Sequence, residues 1–289
     1  MDYDIKITGG TIIDGTGAAR RAGDIGIHDG KIVAVGEAPG RANSTIDAAG
    51  RVVAPGFLDI HTHYDAQVMW DPMLTVSPWH GVTSVVMGNC GFGIAPTRPG
   101  HRDLMARTLE KVEGMSVDAL SAGLGDWPFE TFPEYLRAVE QRGVSINVAA
   151  LLGHTPLRLY VMGLDSVERA ATADEIAAMR TLAAEAIAAG AVGISSSKSN
   201  LHLGFGGFPV PSRLAEFDET LALAGVMGDA GRGVFQLATG RYPDHDEMAE
   251  IARRTGRPVT WTALLTRSDE GRKYIDGHLK TTAEQRARG

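Results

Sequence analysis

The sequence predicts an α/β protein in which a parallel sheet with crossover helices follows a small β domain. Three observations lead there. Short alternating segments separated by turns fill residues 1–54. An apolar run at residues 52–65 then ends in two histidines, His61 and His63. Beyond His63, short β-branched runs alternate with longer helical patterns, as βα units require.

Composition bounds the function. With 289 residues, 44% of them hydrophobic, the chain is long enough to bury one large core or two. The net charge of -7 and the lack of a long basic block argue against a nucleic-acid partner. The mixed, charged start Met-Asp-Tyr-Asp-Ile-Lys-Ile does not resemble a signal peptide, and no apolar run is long enough to span a bilayer. A single cysteine, Cys90, permits no internal disulfide and fits a reducing compartment, so the expected location is cytoplasmic.

In the first 54 residues, antiparallel strands are expected at 4–8, 11–13, 24–28, 31–35 and 45–47. Asp29-Gly30 is a hairpin signal, because glycine accepts the positive φ of a primed turn. Residues 26–31 do not make a phosphate loop: the glycine spacing is wrong and Ile32 stands where Ser or Thr belongs.

The stretch at 52–65 is read as a strand that breaks at Pro55-Gly56 and restarts inside a core at Phe57-Leu58. Side chains alternate along a strand, so Asp59, His61, His63 and Asp65 should share one face. Two adjacent imidazoles make half of a chelate for a cation such as zinc; a hydrogen-bonded histidine pair is the plainer alternative.

Further strands are expected at 83–87, 145–152, 191–195, 233–237 and 258–264. Helices are expected at 102–112, 132–142, 172–189 and 216–229, with another capped by Asp244 and running to Arg254. The clearest is 172–189, where Thr172 and Glu175 form a capping box, Ile176, Met179, Leu182 and Ile187 mark one face, and Gly190 follows. Residues 269–289 are polar and hold no strand. Trp70, Trp79 and Trp127 are read as packing residues.

Gly88-Asn89-Cys90-Gly91 puts the thiol at the carboxyl end of a strand, where a thiolate can ligate or bridge a metal. His154 and Arg158, in Gly153-His154-Thr155-Pro156-Leu157-Arg158, are candidate substrate-binding residues, the guanidinium as a bidentate partner for a carboxylate. His202, in a Gly-rich loop, is a third. Lys198 and Arg213 are weaker anion-binding candidates. For each of these the alternative is a role in local structure.

Pro55-Gly56-Phe57-Leu58-Asp59-Ile60-His61-Thr62-His63 resembles the first barrel strand of the amidohydrolase superfamily of metal-dependent hydrolases. The segment from Gly81 through Cys90 to Pro96 resembles the N-acyl-D-amino-acid deacylase (D-aminoacylase) branch, and Met115, Trp127-Pro128, residues 132–135 and 146–149, Gly153-His154 and Leu157-Arg158 continue the likeness.

The resemblance implies an incomplete TIM-like (β/α) barrel, residues 55–289, beside a small β-sandwich portion, residues 1–54. It assigns His61, His63 and Cys90 to a metal site, with one zinc ion expected rather than two. Relatives carry further histidines on two later strands, and Ala238 and Ala263 stand near those places here. The family's catalytic aspartate would lie beyond Gly289, so no catalytic residue is assigned.

The activity implied is hydrolysis of a linear amide in an N-acyl-D-amino acid or similar N-acyl compound. Two alternatives are a cyclic-amide hydrolase of the dihydropyrimidinase type and a binding protein of the same fold that has lost the chemistry. About six βα units can be counted, whereas a closed barrel needs eight strands and roughly 250 residues. An open sheet leaves an unpaired edge, so association, or completion by a partner or a missing carboxyl-terminal segment, is expected.

Overall fold

A computed structural model of the chain describes residues 2–239, 245–264 and 269–288. The chain divides into two compact units, Met1–Phe57 and Leu58–Gly289.

In the first unit, β1 (Tyr3–Ile12), β2 (Arg21–His28), β3 (Lys31–Gly36), β4 (Ala42–Asp47) and β5 (Val52–Val53) form one five-stranded sheet. The two strands expected at 4–8 and 11–13 are one strand, because a register shift between Ile7 and Gly10 lets β1 bend without losing its partner β2. The sheet is mixed rather than antiparallel: β1 pairs antiparallel with β2 but parallel with β4 and β5. Among the described residues these strands make a single sheet. The hairpin forms at Asp29-Gly30, both with positive φ, 48° and 68°, which Gly30 adopts at no steric cost.

In the second unit the strands are β6 (Phe57–Asp59), β7 (Val82–Met87), β8 (Asn147–Gly153), β9 (Gly193–Ser197), β10 (Val234–Ala238) and β11 (Val259–Thr262). They lie in chain order across a six-stranded sheet, and the pairs from β7 to β11 are parallel. This is an incomplete (β/α) barrel, with six strands among the described residues where closure takes eight. Strands β9 and β10 are buried along almost their whole length, as parallel strands covered on both faces must be.

The helices are α1 (Arg102–Glu113), α2 (Val117–Leu124), α3 (Phe132–Arg142), α4 (His154–Met162), α5 (Ala173–Ala189), α6 (Phe217–Asp229), α7 (His245–Thr255) and α8 (Asp269–Ala287). Both halves of the Thr172–Glu175 capping box are made, and Met179, Ala183, Ala186 and Ile187 bury the inner face of α5. Helices α2, α4 and α8 have no counterpart in the expectations; α2 starts at Ser116, whose hydroxyl accepts the Ala119 N–H. The expected cap at Asp244 lies outside the described residues. Among the described residues no helix is long and apolar enough to cross a membrane.

Two expectations fail at the edge of the sheet. The run at 52–65 is not one strand: β5 pairs in the first sheet, β6 in the second, and residues 60–64 leave strand geometry. Nor does β6 restart inside a core, since Phe57, Leu58 and Ile60 are 67%, 68% and 70% exposed. The cause is position: β6 ends the strand order and has one neighbour among the described residues. Trp79 is likewise exposed rather than packed, whereas Trp127 is buried and the Trp70 ring lies against Gly123.

Candidate metal centre

The site forms where the segment after β6 meets the loop after β7. Hydrogen bonds bring them together: the Thr62 N–H donates to the Val86 carbonyl at 3.0 Å, and the Asn89 side-chain Nδ2 donates to the Thr62 and Val86 carbonyls at 3.2 and 2.9 Å. The Asp59 carboxylate accepts the His61 N–H at 3.1 Å, turning the chain just past the strand. His61 and His63 therefore stand side by side, ring centroids 5.4 Å apart and edge to face, although strand alternation does not set them there.

The loop Gly88-Asn89-Cys90-Gly91 is built on left-handed backbone. Gly88, Cys90 and Gly91 have φ of 80°, 58° and 75°. At Gly88 any Cβ would meet the Leu151 carbonyl oxygen at 2.1 Å, so only glycine lets the loop lie this close to β8. Four bonds hold it down. The Asp65 carboxylate accepts the Gly88 N–H at 3.1 Å, and Gln236 Oε1 accepts the Cys90 N–H at 2.7 Å. Ser195 Oγ accepts the Gly91 N–H at 2.9 Å while its hydroxyl donates to the Gly88 carbonyl.

The result is a convergent donor set. A donor atom from each of His61, His63 and Cys90 lies within 4.8 Å of the other two, and His61 Nε2 is 3.2 Å from Cys90 Sγ. Zinc bonds of about 2.0–2.3 Å in tetrahedral geometry put ligand atoms roughly 3.3–3.7 Å apart, so small rotations would close this set on an ion. Burial lowers the His61 imidazole below its usual range, against the raising pull of Asp59. Burial, then the neighbouring His61 and His202, lower His63 to about 4. Neutral imidazoles keep the lone pairs that coordination needs, so the residues present fit a metal of the zinc type.

Burial raises Asp65 to about 7 against the Gly88 hydrogen bond, and its backbone carbonyl accepts the buried Tyr135 hydroxyl at 2.9 Å. Among the described residues no carboxylate belongs to the three-donor cluster. Ala238 is buried on β10 and Ala263 is exposed beyond β11; neither brings a donor.

The substrate candidates separate. His202, half-buried on the loop after β9, lies beside the centre: its ring centroid is 5.0 Å from that of Phe92, which in turn is 6.3 Å from that of His63. Ser197 Oγ fixes its Nδ1 at 2.6 Å. His154 and Arg158, by contrast, do not face a pocket. Both are 0% exposed and spent on Glu219 of α6. His154 Nε2 donates to the carboxylate at 2.7 Å, which leaves Nδ1 to accept the Ser196 hydroxyl at 2.9 Å. Arg158 pairs with the other carboxylate oxygen and also donates to the Arg169 carbonyl at 2.9 Å. The physical reason is that His154 begins α4, which turns both side chains back into the helix layer. Lys198 is also buried, its ammonium donating to the Ser212 and Ala215 carbonyls.

Asp65, Ser195, Glu219 and Gln236 have no assigned role in the sequence reading. Gln236 alone carried a usable signal, a polar residue in the middle of the apolar strand Val-Phe-Gln-Leu-Ala.

Comparison with known proteins agrees with this architecture. D-aminoacylase of Alcaligenes xylosoxydans xylosoxydans is 38% identical over 263 residues, 89% of this chain and 49% of that protein. N-acyl-D-aspartate deacylase of the same organism is 38% identical over 285 residues, 98% of this chain and 50% of that protein. The structure of N-acyl-D-glutamate deacylase from Bordetella bronchiseptica, complexed with zinc and a phosphonate mimic of the tetrahedral intermediate, is similar with a TM-score of 0.77 at 34% identity, over 99% of this chain and 57% of that one. The chain thus spans about half the length of the curated relatives it matches. Residues 44–286, including all three candidate ligands, match the amidohydrolase family, and the chain belongs to it.

Proposed function

We propose that the chain carries the metal centre of a deacylase that hydrolyses the linear amide of N-acyl-D-amino acids, with His61, His63 and Cys90 holding one zinc ion. The observation that carries this reading is the convergence of two imidazoles and one thiol from two different loops. The kinship with deacylases of N-acyl-D-aspartate and N-acyl-D-glutamate supports the substrate class.

When bound, zinc supplies a water acidic enough to ionise near neutral pH and a Lewis acid for the scissile carbonyl. The chain's own part is positioning. His61 and His63 present neutral nitrogens, and Cys90 contributes the negative charge that offsets part of the ion's. Asp65, Ser195 and Gln236 fix the Cys90 loop. His202 stands at the side of the centre, placed to meet a polar group of the substrate. Arg213, which donates to the His202 carbonyl at 3.2 Å, adds positive charge near it.

The test is elemental analysis of protein purified without chelator, beside an assay with N-acetyl-D-aspartate, N-acetyl-D-glutamate and uncharged N-acetyl-D-amino acids. About one zinc per chain, absent from His61→Ala, together with turnover of a D- but not an L-substrate by the chain completed to its relatives' length, is the expected result. Folded protein without metal, or a metal-loaded protein of that completed length inert towards all of them, overturns the proposal.

A further inference from the structure

Gln236 has a side chain whose two ends are treated differently. Its Oε1 accepts the Cys90 N–H at 2.7 Å, a contact between residues 146 apart in sequence. Its Nε2 is buried and meets no acceptor among the described residues. The amide cannot be turned to relieve this, because Nε2 would then face the Cys90 N–H donor to donor.

A buried amide donor left unmet carries its full desolvation cost, which an apolar side chain of the same shape avoids. A residue present only to fill space at the middle of β10 would be apolar, as Phe235 and Leu237 are on either side of it.

Register places the amide at the centre. Gln236 pairs with Ser195 of the parallel neighbour β9, and paired residues share a face of the sheet. Ser195 is the residue that holds Gly88 and Gly91, the two sides of the Cys90 turn. Ser195 and Gln236 therefore grip the same turn from adjacent strands. That turn needs holding: Cys90 is a non-glycine residue at φ 58°, a conformation in which the Cβ crowds the following carbonyl oxygen.

We propose that Gln236 is a positioning residue of the metal centre, holding the Cys90 backbone in the left-handed conformation that points Sγ towards His61. This rests on the assignment of Cys90 as a ligand, and it adds the strand that sets the ligand's aim.

The test is titration of the metal-free 289-residue chain with Co²⁺, read as affinity and as the near-ultraviolet thiolate-to-cobalt charge-transfer band. The proteins compared are the wild type, Gln236→Met and Gln236→Glu. The Met side chain fills similar space without an acceptor, whereas Glu keeps an oxygen for the Cys90 N–H. Expected are an affinity about 10–100-fold weaker and a diminished band in the Met variant, in keeping with other residues that orient metal ligands. The Glu variant should retain the band, and the metal-free wild-type and Met proteins should melt at closely similar temperatures.

A Met variant with wild-type affinity and band overturns the inference. So does loss of the band to the same extent in both variants, or a Met variant whose weaker binding merely follows a lower melting temperature. A wild-type chain that binds Co²⁺ without a thiolate band removes Cys90 from the centre and overturns both readings. Unaltered binding in the variants beside a normal wild-type band overturns this one alone.

Discussion

Nε2 of His61 lies 3.2 Å from Sγ of Cys90, although 29 residues separate them and they belong to loops following different strands. That contact joins the segment after β6 to the turn after β7, and a cation placed there would be held from both. Removing either end should remove the ion. His61→Ala and Cys90→Ser are expected to weaken zinc binding by more than the ~10–100-fold typical of outer partners, measured by chelator competition. Zinc retained at wild-type affinity in both variants would place the metal elsewhere.

Gly88 should tolerate no side chain. Its φ of 80° disfavours L-residues, and a Cβ there would lie 2.1 Å from the Leu151 carbonyl oxygen, a backbone atom that cannot swing away. Gly88→Ala is expected to cost about 3 kcal/mol or more in urea unfolding and to lower metal affinity as the Cys90 turn shifts. A loss below about 1 kcal/mol would mean that β8 yields easily at this point.

The buried ion pair of Arg158 and Glu219 makes a pH prediction. Burial alone would raise the Glu219 carboxyl, but the His154 hydrogen bond and the Arg158 guanidinium outweigh it and hold the group at about 2, below its ordinary 4.5. A folded-state pKa below the unfolded one stabilises above the unfolded value and loses that stability as pH falls towards the folded value. The contribution of Glu219 should therefore be complete above about pH 4.5 and decline from there towards 2. Arg158→Met, which leaves a carboxylate buried beside neutral His154, is expected to cost about 3–5 kcal/mol at neutral pH and to weaken the acid sensitivity. Urea midpoints measured from neutral pH down to about 3 check both.

These residues show what was legible in the chain. Local chemistry was: the Thr172–Glu175 box spans four residues, and the Asp29-Gly30 turn two, so propensity alone identifies them. The candidate ligands were legible because His61 and His63 are near neighbours and Cys90 sits among glycines. Arg158 and Glu219 are 61 residues apart, and only the start of α4 at His154 decides that the guanidinium turns inward. Equally, the end of β6 at Asp59 depends on pairing with β7, and periodicity read an extended strand through residues 60–65.

Helix α5 offers a test of the local part. Thr172 Oγ1 accepts the Glu175 N–H at 3.3 Å while the Glu175 carboxylate accepts the Thr172 N–H at 2.7 Å. Thr172→Ala should cost about 1 kcal/mol, as loss of an N-cap does, without changing metal content. An unchanged unfolding midpoint would show that packing of Met179, Ala183 and Ile187 alone fixes the start of the helix.

The edge at β6 carries the remaining expectation. This strand pairs on one side only among the described residues, and Phe57, Leu58 and Ile60 are all about two-thirds exposed or more. Unpaired backbone N–H and C=O groups next to exposed apolar side chains form a template for another strand, and little in β6 opposes it: Asp59 is its single charge and it contains no proline. The 289-residue chain should therefore associate with rising concentration, seen by sedimentation. Leu58→Lys, which adds a charge to that edge, should shift it towards monomer while leaving zinc content unchanged, because the ligands lie beyond the end of the strand. A wild-type chain that stays monodisperse and monomeric at high concentration, with a sharp cooperative melt, would show that this edge is not a template.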